Sequence, residues 1–275
     1  MMKCISIDLD GTLLNSKHEI SEENLQTLHD LKKQGHYVIL NTGRALADVI
    51  KIQAVQQLEL PIFSINGSML YSKSGELLYE ANVPISTYKE IFSRLKDLEI
   101  GILVYTNYGG FPATLPPLQE KSKEELTTLF QQYDYDQILT KNDIKIYKIM
   151  ALVYDGQLEK LEDVKKALGN TLDIFMAASL PNNLELTSSE ANKGKAILRY
   201  QKLMNLHFEE IIAIGDGGND LGQFEVATTS VAMGNAPAYI QNIADVVTKT
   251  NDEDGFSYAM RHQLKLIPTS ETANI

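Results

Sequence analysis

The run Cys4-Ile5-Ser6-Ile7, followed at once by Asp8-Leu9-Asp10-Gly11-Thr12-Leu13-Leu14, constrains this chain more than any other stretch. A short apolar run of this kind reads as a buried strand, and it delivers two carboxylates, one residue apart, at its carboxyl end. Strand residues alternate faces, so Asp8 and Asp10 are expected to point the same way. Two like charges held that close raise each other's pKa unless a cation lies between them or only one ionises. Two chemistries meet that condition: a divalent metal bound by oxygens, or an acid beside a nucleophile. Gly11 permits a tight turn and brings main-chain N–H groups toward an anion. A plain Asx turn would carry the same Asp-x-Asp, so the reading depends on what lies downstream.

Ser21-Glu22-Glu23 opens a helix, with serine at the N-cap and acids at the positive end of the dipole. Leu25, Leu28 and Leu31 give it an apolar stripe, and Gly35 stops it. Tyr37-Val38-Ile39-Leu40 follows as an apolar strand, so strand, helix and strand make a βαβ unit with parallel strands. That strand runs into Asn41-Thr42-Gly43-Arg44 and a helix expected over residues 45–58. Ligands of open parallel sheets bind beyond the carboxyl ends of the strands, which puts Thr42 on the rim that carries Asp8. A threonine hydroxyl with the Gly43 N–H is a phosphate donor pair; a simple Thr-Gly turn is the alternative. Residues 61–67 form a third strand closed by Asn66-Gly67, and residues 69–71 and 76–79 flank Ser72-Lys73-Ser74-Gly75 as a hairpin.

From about residue 83 the pattern changes. Helices over 86–98, 122–132 and 158–168 alternate with strands over 100–106, 144–154, 172–177 and 183–187, making a second α/β unit. The alternation of Lys145 and Tyr147 with Ile144 and Ile146 predicts a sheet with one solvated face. Asn107-Tyr108-Gly109-Gly110-Phe111 through Pro116-Pro117 is expected to be its longest irregular loop and to face substrate. The first pattern returns at Asn192-Lys193-Gly194-Lys195, which opens a helix over 196–206. A lysine in a first turn is disfavoured by about 0.3–1 kcal/mol, so Lys193 is read as facing a phosphate and carboxylates, and Lys195 as facing solvent. Ile211 to Ile214 is another buried strand, and Gly215-Asp216-Gly217-Gly218-Asn219-Asp220 brings acids and an amide to a strand's carboxyl end for the second time. It lacks the spacing and closing glutamate of an EF-hand loop. Short strands and helices follow through Ser230-Val231-Ala232-Met233-Gly234-Asn235-Ala236 and Asn251-Asp252-Glu253-Asp254-Gly255.

At 275 residues the chain has room for one large domain or two smaller ones. Its net charge of -11 argues against a nucleic-acid backbone or an anionic membrane as the main partner. The single cysteine, Cys4, lies inside the first strand and cannot form an internal disulfide, which favours a reducing compartment. No apolar run approaches the roughly 18 residues that span a bilayer, and the N-terminus has no h-region. The expected location is cytoplasmic. The five histidines fall outside all the motifs, which disfavours a zinc hydrolase.

With DLDGTLL, NTGR, NKGK and GDGGND in that order, the chain resembles a haloacid dehalogenase (HAD) phosphatase of the Cof-type subfamily over nearly its whole length. The resemblance implies an α/β fold: a Rossmann-like parallel-sheet core (residues 1–82 and 188–275) with an inserted α/β cap domain (83–187). It implies a Mg2+-dependent phosphatase that hydrolyses small phosphorylated metabolites, such as a sugar phosphate, nucleotide or cofactor phosphate, through an aspartyl-phosphate. Asp8 would be the nucleophile, and Asp10 would protonate the leaving oxygen and then activate water. Mg2+ would be held by the Asp8 carboxylate, the Asp10 backbone carbonyl and Asp216. Thr42, Gly43, Lys193, Asn219 and the Leu9 N–H would surround the phosphoryl oxygens, and Asp220 would orient Lys193 or a metal-bound water. The assignment of the attacking aspartate rests on the resemblance alone. A monomer or weak homodimer is expected. A phosphosugar mutase using the same site, and a non-catalytic phosphometabolite-binding protein, are the alternatives. After the last aspartate this chain has Leu221-Gly222-Gln223-Phe224 where the family pattern usually has a methionine and leucine; altered packing is expected there, with catalysis retained.

Overall fold

In the computed structural model the described residues are 2–114, 135–154 and 156–267. The helix expected over 122–132 and the Pro116-Pro117 end of the expected loop lie outside them. The strands in chain order are β1 (Lys3–Ile7), β2 (Tyr37–Asn41), β3 (Ile62–Ser64), β4 (Met69–Tyr71), β5 (Leu77–Glu80), β6 (Gly101–Thr106), β7 (Gly109–Thr114), β8 (Ile146–Leu152), β9 (Ile174–Ala177), β10 (Asn183–Ser188), β11 (Glu210–Gly215), β12 (Thr229–Ala232) and β13 (Val246–Val247). The chain divides into two compact units, Met1–Glu80 with Asn192–Ile275, and Ala81–Ala191.

The first unit is built on an eight-stranded sheet in the order β13-β12-β11-β1-β2-β3-β4-β5. Its pairs are parallel from β13 to β3, and β4 and β5 close one edge antiparallel as the expected hairpin. Apolar residues on alternate sides of the strands feed two cores. Ile5 and Ile7 of β1 join Leu28 and Leu31 of the helix Glu22–Lys33 and Phe256, Ala259 and Met260 near the C-terminus. Cys4, Ile39 and Phe63 join Ala196, Ile197 and Tyr200 of the helix Lys193–Leu203 on the other face. Cys4 is fully buried, and that burial pushes its thiol pKa far up. Ser21 caps the helix Glu22–Lys33 by accepting the Asn24 N–H, as its position predicts.

The second unit is a five-stranded antiparallel sheet, β7-β6-β8-β10-β9. The helices Ile85–Leu95 and Glu159–Leu168 pack on Ile102, Val104, Ile149, Ala151, Leu184 and Leu186 of this sheet. The solvated face predicted from Lys145 and Tyr147 is not what the strand shows. A register shift lets Tyr105 pair with Lys148 and Thr106 with Ile146, and Tyr147 is buried. Lys148 is also buried, its ammonium 3.0 Å from Glu185 on β10.

Two further expectations are corrected. Residues 107–111 are not an irregular loop: β6 and β7 form a hairpin turning at Asn107 and Tyr108, where the Thr106 hydroxyl accepts the Tyr108 N–H and donates to the Gly109 carbonyl. The helix expected over 45–58 is two short helices, Leu46–Val49 and Gln53–Leu58, because the backbone is extended at Ile52.

Candidate active site

The register of the parallel strands assembles the site. Ile7 of β1 lies opposite Ile214 of β11 and Leu40 of β2, so Asp8, Gly215-Asp216 and Asn41-Thr42 emerge on one rim. Asp8 stays bonded to that rim, its N–H donating to the Ile214 carbonyl at 3.1 Å. Lys193 opens its helix behind the N-cap Asn192 and is fully buried. Its Nζ lies 2.8 Å from Asp8 and 2.7 Å from Asp220. An unpaired buried ammonium is costly, and two carboxylates supply the compensation. Burial alone would lower the Lys193 pKa, but Asp220 and Asp8 outweigh it and hold it above its ordinary value. Lys195 is exposed, as expected.

Asp220 is held from every side. One oxygen accepts from Lys193 at 2.7 Å and from the Gln223 amide at 2.7 Å, and the other accepts the Asp216 and Gly217 N–H groups at 3.0 and 2.9 Å. Glycine is required beside it, since a Cβ on Gly215 would stand 2.2 Å from its Cγ. Asp8, Asp216 and Asp220 each offer an oxygen within 4.8 Å of the others. Burial raises the Asp8 pKa well above the usual range, against the attraction of Lys193, and pushes Asp216 up to about 7. Three carboxylates thus share one ammonium, and the neighbourhood is short of positive charge. An all-oxygen set of this kind suits a hard divalent cation. Asp220 has its oxygens taken by the four donors above, so Asp8 and Asp216 are the residues with coordinating capacity to spare. Asp216 keeps Oδ2 for that purpose while its Oδ1 accepts the Thr12 hydroxyl at 2.9 Å. Gly11, at φ +71°, leaves open the space next to that oxygen, where a Cβ would stand 2.2 Å away.

The Asp10 side chain is exposed, whereas that of Asp8 is buried. The strand ends at Ile7, and the backbone turns through Gly11 directly after Asp10. Arg44 grips it with two donors, Nε to Oδ2 at 2.7 Å and Nη2 to Oδ1. The hydrogen bond to Asp10 raises the Arg44 pKa further. A cavity of about 790 Å³ runs beside Arg44, also lined by His18, Ile20, Asp48, Lys51 and Ile52.

Thr42 is buried, and its hydroxyl accepts the Arg44 N–H at 3.2 Å. Gly43 beside it is half-buried, and Leu9 is buried in the turn after Asp8. Asn219 is buried and donates to the Asn66 side chain at 3.1 Å. Asn66 is a site neighbour that sequence reasoning treated only as a turn. Ile65, Asn66 and Gly67 have φ of 50°, 54° and 87°. A β-branched residue in the left-handed region is an outlier. It is held there by Ile65 N–H to the Arg44 carbonyl and Asn66 N–H to the Thr42 carbonyl, both 2.9 Å. Arg44 and Gln223 were also missed. A cation directly after Thr-Gly on the acidic rim was a signal for the first, and an amide one helical turn after Asp220 for the second.

Carboxylates gathered around a buried lysine, on the carboxyl rim of a parallel α/β sheet, form a site whose oxygens could hold a metal ion. The profile of the haloacid dehalogenase-like hydrolases matches residues 5–260. The phosphatase YwpJ of Bacillus subtilis is 34% identical, over 96% of this chain and 100% of its own length. The 5-amino-6-(5-phospho-D-ribitylamino)uracil phosphatase YwtE of the same organism is 30% identical, over 94% of this chain and 96% of its own. A solved haloacid dehalogenase-like hydrolase from B. subtilis superposes with a TM-score of 0.80 at 30% identity, covering 95% of this chain and 99% of that one. The chain belongs to the haloacid dehalogenase superfamily, in its Cof-type branch, and is a phosphatase.

Proposed function

We propose that the protein is a Mg2+-dependent phosphatase of small phosphorylated metabolites, working through an aspartyl-phosphate on Asp8. The contact that carries the reading is the fully buried Lys193 ammonium, 2.8 Å from Asp8 and 2.7 Å from Asp220. Two of its three N–H donors are spent on carboxylates, which leaves one for a phosphoryl oxygen. Asp8 attacks phosphorus in line, and the leaving oxygen takes a proton from Asp10; water activated by Asp10 then cleaves the acyl phosphate. The Leu9 N–H, Thr42, Gly43, Lys193 and Asn219 surround the equatorial oxygens, where charge develops. Asp8, Asp216 and the Asp10 carbonyl hold Mg2+, which when bound draws charge from the phosphoryl oxygens. Asp220 keeps Lys193 aimed.

In this reading residues 1–82 and 188–275 are the catalytic core and 83–187 the cap that selects the leaving group. The protein works in the cytoplasm as a monomer or weak homodimer. Two relatives named as phosphatases of a phosphoribityl compound support trying polyol phosphates as substrates, beside sugar phosphates, nucleotides, flavin mononucleotide and pyridoxal phosphate. Hydrolysis of p-nitrophenyl phosphate should require Mg2+ and be lost, by at least about a thousandfold, in Asp8→Asn. Turnover that survives Asp8→Asn would reject the nucleophile. Binding of phosphorylated metabolites without any turnover would make the protein a sensor.

A further inference from the structure

The polar groups beneath the lysine form a closed circuit that the reaction scheme leaves unexplained. The Gln223 Nε2 donates to Asp220 Oδ1 at 2.7 Å, on the same oxygen that takes the Lys193 ammonium, and to the Ile214 carbonyl at 3.3 Å. The Gln223 Oε1 accepts the Ser6 hydroxyl at 2.7 Å and the Asn41 amide at 3.3 Å. The Asn41 Nδ2 also donates to the Ser6 oxygen at 3.1 Å and to the backbone carbonyl of Lys193 at 3.0 Å. Hydrogen bonds therefore run from the Lys193 ammonium through Asp220, Gln223 and Asn41 back to the Lys193 main chain. Ser6, Asn41, Lys193, Asp220 and Gln223 are all fully buried. Polar groups so placed are costly unless satisfied, and of these side chains the Asn41 Oδ1 is buried without a partner while the other contacts named here hold the ring in one geometry.

We propose that Gln223 is a positioning residue of the phosphoryl site, closing with Ser6 and Asn41 a ring that fixes the Lys193 ammonium between Asp8 and Asp220. The inference rests on the reading that Lys193 and Asp8 act on the phosphoryl group. Gln223 touches no reacting atom. It supplies Asp220 with a neutral donor, so that Lys193 is not drawn wholly onto Asp220 and keeps its contact with Asp8. Charge on the phosphoryl oxygens grows toward the transition state, so a misplaced ammonium is felt in kcat more than in KM.

The test compares wild type, Gln223→Met, Ser6→Ala and the double variant, as full-length proteins in saturating Mg2+, on p-nitrophenyl phosphate. Thermal melts establish that each is folded. Gln223→Met should lower kcat roughly tenfold, with KM moving less than about twofold, as expected for one lost hydrogen bond to a charged group. Ser6→Ala, which reaches Asp220 through Gln223 and the Lys193 main chain through Asn41, should lower kcat roughly threefold and add less than its full effect in the Gln223→Met background. A kcat within about twofold of wild type in folded Gln223→Met, or effects of the two substitutions that simply add, overturns the proposal while leaving the phosphatase reading intact. If Gln223→Met does not fold, Ser6→Ala decides alone, and an unchanged kcat overturns the proposal. A wild type without Mg2+-dependent turnover rejects the phosphatase reading, and the inference with it.

Discussion

At the residue scale the site is a case of stability given up for reactivity. Asp216 is pushed up to about 7 and Asp8 is raised well above the ordinary carboxylate range. A folded-state pKa above the unfolded value of about 3.9 means that the native state binds protons more tightly than the unfolded chain. The metal-free protein should therefore lose stability as pH rises from about 4 to about 7, by an amount on the order of a few kcal/mol from Asp216. Melting in EDTA across that window reads the loss. Asp216→Asn should flatten the profile and raise the EDTA melting temperature near neutral pH, at the cost of activity; a lower melting temperature would show that the carboxylate stabilises the fold. Asp8, Asp216, Lys193 and Asp220 were legible in the sequence because each sits at a strand end or helix start, where topology dictates the rim. The pairing of the Asp10 side chain with Arg44 was not. It depends on the turn at Gly11 and on Arg44, and strand alternation has no authority past the last paired residue. Gln223, Ser6 and Asn41 were overlooked for a related reason: their meaning comes from one another, across more than two hundred residues of chain.

At the element scale, close approach between backbones keeps Lys193 in place. A Cβ on Gly194 would stand 1.9 Å from the Gly222 carbonyl oxygen, so the helix Lys193–Leu203 rests directly on the helix Leu221–Val226. No rotamer change relieves a clash with main chain. Gly194→Ala should destabilise the protein by about 1–3 kcal/mol by urea unfolding, and lower kcat by displacing the adjacent lysine. A stable, fully active Gly194→Ala would mean that the two helices can part without consequence. The same scale shows where sequence patterning runs out. The βαβ order and the hairpin at Ser72–Gly75 were readable because apolar runs and turn residues are local signals. The break at Ile50–Ile52 and the shift opposite Tyr147 were not, since both are set by what the segment packs against.

At the scale of the whole molecule, the acidic balance of -11 and the crowded carboxylates of the rim act in the same direction. Mg2+ that binds only the folded state should raise the melting temperature with the logarithm of its concentration, by about 2.7 kcal/mol of added stability at a hundred times Kd. Asp8→Asn and Asp216→Asn should each weaken that response. An equal response in both variants would place the ion elsewhere. The identity of the metabolite was not readable in the sequence. Leaving-group recognition comes from the shape and chemistry of a closed pocket, whereas phosphoryl chemistry comes from short motifs at strand ends.

The buried Cys4 side chain has a practical consequence. It lies on β1, paired with Tyr37 on one side and Ile211 on the other, in the middle of the larger sheet. A maleimide or aromatic disulfide can reach this sulfhydryl only when the helix Lys193–Leu203 lifts off the sheet or the central strands come apart. The rate at which the native enzyme is labelled therefore clocks the rarest openings of its scaffold, with no engineered probe and no second thiol to confuse the signal.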